Sequence, residues 1–296
     1  NPLFRHTWHL IFRLLCSHIS KYIHVSHNSL KSPCIHKGPP LHTLQRIKFI
    51  PCGHAIVITV FKVLYRIKRS MEINVARVNN GIYDVHVISD DEYIGPAIAR
   101  GHEWDRWMRR DVRMLHKPGT EIIDIGANIG YNTLLFSDYG PVLSFEPVYH
   151  DIVSLNVKNN SLRYPVQVIP CALSDEKTVT KIHIPSHGCE SNVLINYGGT
   201  SFHHTDEMRG EGVDVSCERL DDIYTGVPSF IKIDVEGHEL QVLKGASETI
   251  KKHKPTILIE IHDFSEDSEI HQYLKSLGYG DPEKRPEAIF IYKTFA

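Results

Sequence analysis

The chain has 296 residues, 42% of them apolar and 23% charged, with a formal net charge of −2. That length holds one α/β domain of ordinary size plus an extension. Six cysteines (Cys16, Cys34, Cys52, Cys171, Cys189 and Cys217) form no C-x-x-C pair and no zinc-type cluster, so the sequence carries no disulfide framework and reads as a protein of a reducing compartment.

The overall charge hides an asymmetry. Residues 1–71 contain eleven Lys and Arg and not one Asp or Glu, leaving 22 basic and 35 acidic residues, a net of −13, for the rest. Met71 is the first methionine, and the acid-free stretch ends there. The expectation is that translation starts at Met71 and that residues 1–70 derive from upstream, non-coding sequence. Peptides from Arg5 to Arg69 in digests of the natural protein would sink that expectation. An acid-poor targeting or signal-anchor segment and a basic arm for nucleic acid or membrane are the alternatives. Ala55-Ile-Val-Ile-Thr-Val-Phe61 is apolar, but Lys62 and Arg66 interrupt it short of the ~18 residues a spanning helix needs. The expected location is the cytoplasm, or one set by a targeting segment if residues 1–70 are genuine.

From residue 71 to 117 the pattern predicts a hairpin and a helix. Ile73-Asn-Val-Ala-Arg-Val78 alternates, Asn80-Gly81 is a turn signal, and Tyr83-Asp-Val-His-Val-Ile88 returns. Residues 97–117 suit a helix, with Trp104, Trp107, Met108 and Leu115 near helical spacing and the tryptophans packing on the core. The main domain is expected at 118–296. Strands are predicted at 121–125, 142–146, 166–169, 230–234, 256–261 and 288–292, and helices near 130–137, 148–160, 239–251 and 267–277. This alternation implies an α/β fold, a mostly parallel twisted sheet with helices on both faces. An insertion at 176–220, containing a polar loop at 186–212, is assigned to acceptor binding or a lid.

The most informative segment is Glu121-Ile-Ile-Asp-Ile-Gly-Ala-Asn-Ile-Gly-Tyr-Asn-Thr133, a buried strand, a glycine turn and a helix start. A dinucleotide-binding turn prefers G-x-G-x-x-G, but position 128 is Asn and the strand ends in Asp124. An acid there opposes a phosphate and suits an ammonium group. Glu146 follows Asp124 by twenty-two residues, the separation expected of a carboxylate that accepts from ribose hydroxyls.

Three further blocks add specificity: Phe230-Ile-Lys-Ile-Asp-Val-Glu-Gly-His-Glu-Leu240, Ala172-Leu-Ser-Asp175 and Gly101-His-Glu-Trp104. With Asp124-Ile-Gly-Ala-Asn-Ile-Gly130 and Phe145-Glu-Pro147, over roughly residues 72–295, the chain resembles the FkbM-type family of S-adenosylmethionine-dependent methyltransferases. The resemblance implies a Rossmann-like class I methyltransferase fold and methyl transfer to a hydroxyl of a sugar, glycan, lipid or other small metabolite. It names neither the acceptor nor the oligomeric state, and implies no nucleic-acid partner and no stable membrane span.

On that reading Asp124, Gly126, Asn128 and Gly130 form the cofactor turn, with Asp124 on the methionine end. Glu146 takes the ribose, Ala172 and Leu173 flank the adenine, and Ser174 or Asp175 meets its amine. Asp234 serves both cofactor and chemistry. A hydroxyl acceptor needs a base or a metal, and the candidates are Asp234, Glu236, Glu260 and His262, with His238 and Glu239 nearby. Glu260 and His262 are two apart on a strand and face one side. The four would suit Mg²⁺ or Mn²⁺ in ligand type, but no fixed His spacing demands a metal and none is expected to be required. A nicotinamide-dependent oxidoreductase and a non-catalytic cofactor- or glycan-binding module are the competing readings.

Overall fold

The computed structural model describes residues 73–185, 194–203 and 212–294. The expectations for residues 1–70, including the apolar stretch 55–61, and for most of the 186–212 loop lie outside the described residues. Contacts divide the chain between Ser70 and Met71, and the architecture below belongs to the second unit.

Strands β1 (Val75–Asn79) and β2 (Asp84–Ile88) pair antiparallel through a turn in which Gly81 has φ +86°. The Asn80 carboxamide accepts the Ile82 and Tyr83 amides and closes the turn. The predicted 97–117 helix is instead two, α1 (Ile94–Ala99) and α2 (Arg106–Leu115). Gly101 (φ +81°) and Asp105 (φ +49°) are both left-handed, a conformation that no α-helix continues through.

The core then runs β3 (Glu121–Ile125), α3 (Tyr131–Phe136), β4 (Val142–Phe145), α4 (His150–Asn159) and β5 (Val166–Ile169). After it come β6 (Ala172–Leu173), just ahead of the insertion, and β7 (Thr178–Ile182) and β8 (Val213–Glu218) within it, and the three form their own sheet in the order β6-β8-β7. Next come α5 (Leu220–Ile223), β9 (Pro228–Ile233), α6 (Glu239–Gly245), α7 (Ser247–His253), β10 (Thr256–Glu260), α8 (Glu269–Ser276), β11 (Glu283–Lys284) and β12 (Ile289–Tyr292). The single helix expected at 239–251 is broken at Ala246, between α6 and α7.

The main sheet has seven strands in the order β11-β12-β10-β9-β3-β4-β5. Strands β10, β9, β3, β4 and β5 are parallel, and β12 runs antiparallel beside β10. This is the Rossmann-like class I methyltransferase arrangement. The strand order reverses between β3 and β9, and in an open parallel sheet ligands bind beyond the carboxyl ends at such a switch point.

Strand alternation decides what each residue faces. Ile123, Ile125, Ile231 and Ile233 pack on one side with Val242, Leu243 and Ile250 of α6 and α7. Ile122, Phe230 and Leu258 face the other side, against Met108 and Val112 of α2 and Leu135 and Phe136 of α3. Asp124 and Lys232 fall on this second side. Register places them directly opposite each other on β3 and β9, with Ser144 of β4 on Asp124's other flank. No helix among the described residues is long and apolar enough to cross a membrane.

Candidate active site

A cavity of about 390 Å³ opens at the carboxyl ends of the parallel strands. One wall is the β3–α3 turn. A Cβ on Gly126 (φ +76°) would lie 1.8 Å from the Asp234 carbonyl oxygen, so only glycine lets this turn pass beside β9. Asn128 is left-handed at φ +52°, and its amide donates to Glu146 Oε2 at 2.9 Å. At Gly130 (φ +83°) a Cβ would lie 2.8 Å from Val153 of α4, so its absence lets that helix pack against the turn.

Glu146 is buried immediately after β4, and its Oε1 accepts the amides of Val148 and Tyr149 at 2.8 and 3.0 Å. Burial raises its pKa, against the three backbone donors that lower it. The carboxylate therefore joins the glycine turn to the start of α4 while still lining the cavity.

The inserted sheet and its neighbours form the apolar end. Ala172, Leu173, Ile182 and Phe202 line it, and Phe202 stacks on His238 with ring centroids 4.3 Å apart. Tyr149 Oη and Thr200 Oγ1, 2.6 Å apart, tie the segment after β7 to α4. Ser174 and Asp175 do not line the cavity; Ser174 Oγ lies 2.9 Å from His238 Nε2 and donates to Asp175 at 3.2 Å.

The other end is ionic. Lys232, fully enclosed, donates to the Gly126 carbonyl at 2.8 Å and pairs with Asp234 at 3.1 Å and Asp124 at 3.5 Å. Burial alone would lower its pKa, but the carboxylates of Asp234 and Asp124 outweigh burial and raise it. Glu236, left-handed at φ +52°, and Glu260 complete the cavity wall. His262 Nε2 sits outside them, 3.3 Å from Glu260 Oε2 and 3.5 Å from Glu236 Oε2. Burial and then the Asp234 charge raise the Glu236 pKa to about 7. Burial, Asp234 and Glu236 raise that of Glu260 to about 9. Two carboxyls crowded by a third share protons near neutrality. Glu236, Glu260 and His262 each bring one ligand atom within 4.8 Å of the others, so among the described residues this trio, without Asp234, is the group that could hold a cation.

A model of the methyltransferase FkbM domain matches residues 124–280, more than half of the chain. The chain belongs to the FkbM methyltransferase family. Methyltransferase sdnD of Sordaria araneosa is 30% identical over 156 residues, 43% of this chain and 60% of sdnD. The 31-O-demethyl-FK506 methyltransferase FkbM of Streptomyces tacrolimicus is 28% identical over 186 residues, 53% of this chain and 70% of that protein. The hexuronic acid methyltransferase AglP of Haloferax volcanii is 29% identical over 139 residues, 47% of this chain and 54% of AglP. The chain thus spans between about half and 70% of the length of these relatives.

Within the FkbM domain, Gly126, Asn128, Glu146, Ala172, Leu173, Asp234, Glu236 and Glu260 all line one cavity. Asp124, expected on the methionine end of the cofactor, does not line the cavity. Its carboxylate has no solvent exposure; Thr133 Oγ1 donates to Oδ2 at 2.5 Å, and Lys232 neutralises it from the next strand. Gly130 and His262 also lie off the cavity wall, His262 on its exposed outer side. Trp104 packs against the core as expected and lines the cavity as well. Sequence reasoning missed Asp105, Asn132 and Glu287, which line it as well. Strand alternation could have placed Asp124 beside Ile122 on the helix-covered face; nothing local marks the other three.

Proposed function

We propose that the FkbM domain binds S-adenosylmethionine and transfers its methyl group to an acceptor hydroxyl. The observation that carries this reading is the polarity of the cavity: an apolar end for a base, an acid at its middle for a ribose, and an ionic end where proton removal is needed. The unpaired atoms fit as well. The buried Asn128 Oδ1 and Asn132 Oδ1 have no hydrogen-bond partner, and both residues line the cavity. They suit an ammonium group, the place first given to Asp124.

When bound, S-adenosylmethionine supplies the methyl group, its positive charge and its own leaving group. The chain's part is to align the acceptor oxygen with the methyl at ~3 Å and to take its proton. Glu236 is the base on this reading, because its raised pKa matches neutral operation. Glu260 shares the proton, and His262 passes it to solvent. Ala172, Leu173 and Phe202 hold the adenine, Glu146 the ribose hydroxyls, and Lys232 fixes Asp234 and the Gly126 turn. The acceptor is a small molecule or sugar, in keeping with the relatives' names, and the free buried thiols Cys171 and Cys217 fit a cytoplasmic setting.

Calorimetry tests the cofactor. S-adenosylhomocysteine should bind and NAD should not; NAD binding alone would favour the oxidoreductase. With methyl transfer measured, kcat/KM should rise with pH through about 7 as Glu236 ionises, and Glu236→Gln should remove that limb. Turnover surviving EDTA would leave deprotonation to the carboxylates, whereas loss restored by Mg²⁺ would assign Glu236, Glu260 and His262 to a cation.

A further inference from the structure

A second concavity, of about 630 Å³, adjoins the cavity and shares Trp104, Asp105 and Glu287 with it. Its own lining adds His102, Arg106 and Trp107. It lies at the break between α1 and α2, where Asp105 is left-handed, and Trp104 and Trp107, each half-buried against the core, both border it. Across from them stands the β11–β12 turn, where Glu287 (φ +57°) and Ala288 (φ +54°) are consecutively left-handed. Ile289 pairs with Glu260 in the β12–β10 ladder, so this turn lies beside the carboxyl that shares the proton with Glu236. The side chains of Arg106 and Glu287 make no hydrogen bond or ion pair among the described residues.

Resting on the methyl-transfer reading, we infer that this groove is the acceptor subsite and that its occupant is a carbohydrate. Two half-exposed indoles interleaved with carboxylates, an imidazole and a guanidinium match a pyranose ring, whose C–H faces need flat apolar contacts while its rim of hydroxyls needs charged hydrogen-bonding partners. A lipid chain calls for a continuous apolar wall, which the ionisable residues interrupt. The shared residues Trp104, Asp105 and Glu287 form the passage by which one ring hydroxyl reaches Glu260 and Glu236.

The composition provides the readout. The chain has three tryptophans, and two of them, Trp104 and Trp107, border the groove. Full-length protein saturated with S-adenosylhomocysteine is titrated with methyl α-D-glucopyranoside, N-acetylglucosamine, glucuronic acid and cellobiose, with dodecanol as the lipid arm, while tryptophan emission is followed. At least one saccharide should give a saturable change that Trp107→Ala abolishes and Trp107→Phe largely retains. Arg106→Ala should weaken it at least threefold. Affinity for S-adenosylhomocysteine should stay within twofold in all three variants, since neither residue borders the cofactor cavity, and this also shows that each is folded. Saturation by dodecanol alone, or no response to any saccharide with S-adenosylhomocysteine bound, overturns the subsite. Failure of wild-type protein to bind S-adenosylhomocysteine would instead strike the methyl-transfer reading.

Discussion

Four residues of the cavity wall, Asp105, Asn128, Glu236 and Glu287, hold left-handed backbone without being glycine. Each costs about 1–2 kcal/mol, and strain of this kind persists where surrounding contacts over-determine it. The charges are equally constrained. The buried Asp124 and Lys232 and the half-buried Asp234 form a row in which each charge depends on the others. Asp124→Ala should therefore destabilise the domain by about 3 kcal/mol, the lower end for a broken buried pair, because Asp234 still compensates Lys232. Urea unfolding midpoints measure this; an unchanged midpoint would refute the structural role. Glu260 behaves oppositely. Its folded pKa is raised, so its contribution to stability is complete below its unfolded value near 4.5 and is lost as pH rises through about 9. Glu260→Gln should match the wild type at pH 4.5 and exceed it at pH 8.5 by about 1–2 kcal/mol, a few degrees of melting temperature. The same variant should lose activity, on the order of a hundredfold, if Glu260 shares the transferred proton.

At the scale of elements, the hairpin is held by a helix acting as a strand. Asn156 on α4 and Asn160, the extended residue just after it, each grip a residue of β2. The Asn156 carboxamide accepts the His86 amide at 2.6 Å and donates to the His86 carbonyl at 3.1 Å and to the Ile129 carbonyl at 2.7 Å. Asn160 does the same for Asp84, at 2.9 and 2.8 Å. Asn156→Ala strands three backbone groups and should cost about 3 kcal/mol, with amide exchange accelerating in β2 before the central strands. Arg109 adds a second tie, joining Glu103, Asp138 and the Tyr83 hydroxyl. The hairpin itself was legible from Asn80-Gly81 and its alternating flanks. Its docking was not, because two asparagines on a helix carry no local sign of the strand they will meet.

For the whole molecule, the cavity draws walls from places far apart in sequence, among them the α1–α2 break, the β3–α3 turn, the inserted sheet and the ends of β9 and β10. Cofactor binding should couple them. At a hundredfold excess over Kd, S-adenosylhomocysteine should add about 2.7 kcal/mol to stability, raising the melting temperature by roughly 5–10 °C. No shift at saturating ligand would contradict a site built across the domain.

Sequence alone determined the alternating strands and helices, the glycine turn, the FkbM kinship and the acids at strand ends, because periodicity and turn chemistry are local properties of the chain. The tertiary structure decided which of those acids line the cavity. Asp124 and Glu146 read alike along the chain, yet β-sheet register set Asp124 against Lys232 beneath α3, while Glu146, one residue beyond its strand, reached the cavity. Register, helix breaks and the approach of Asp105 and Glu287 depend on packing between distant segments, and burial then fixes which charges can exist there.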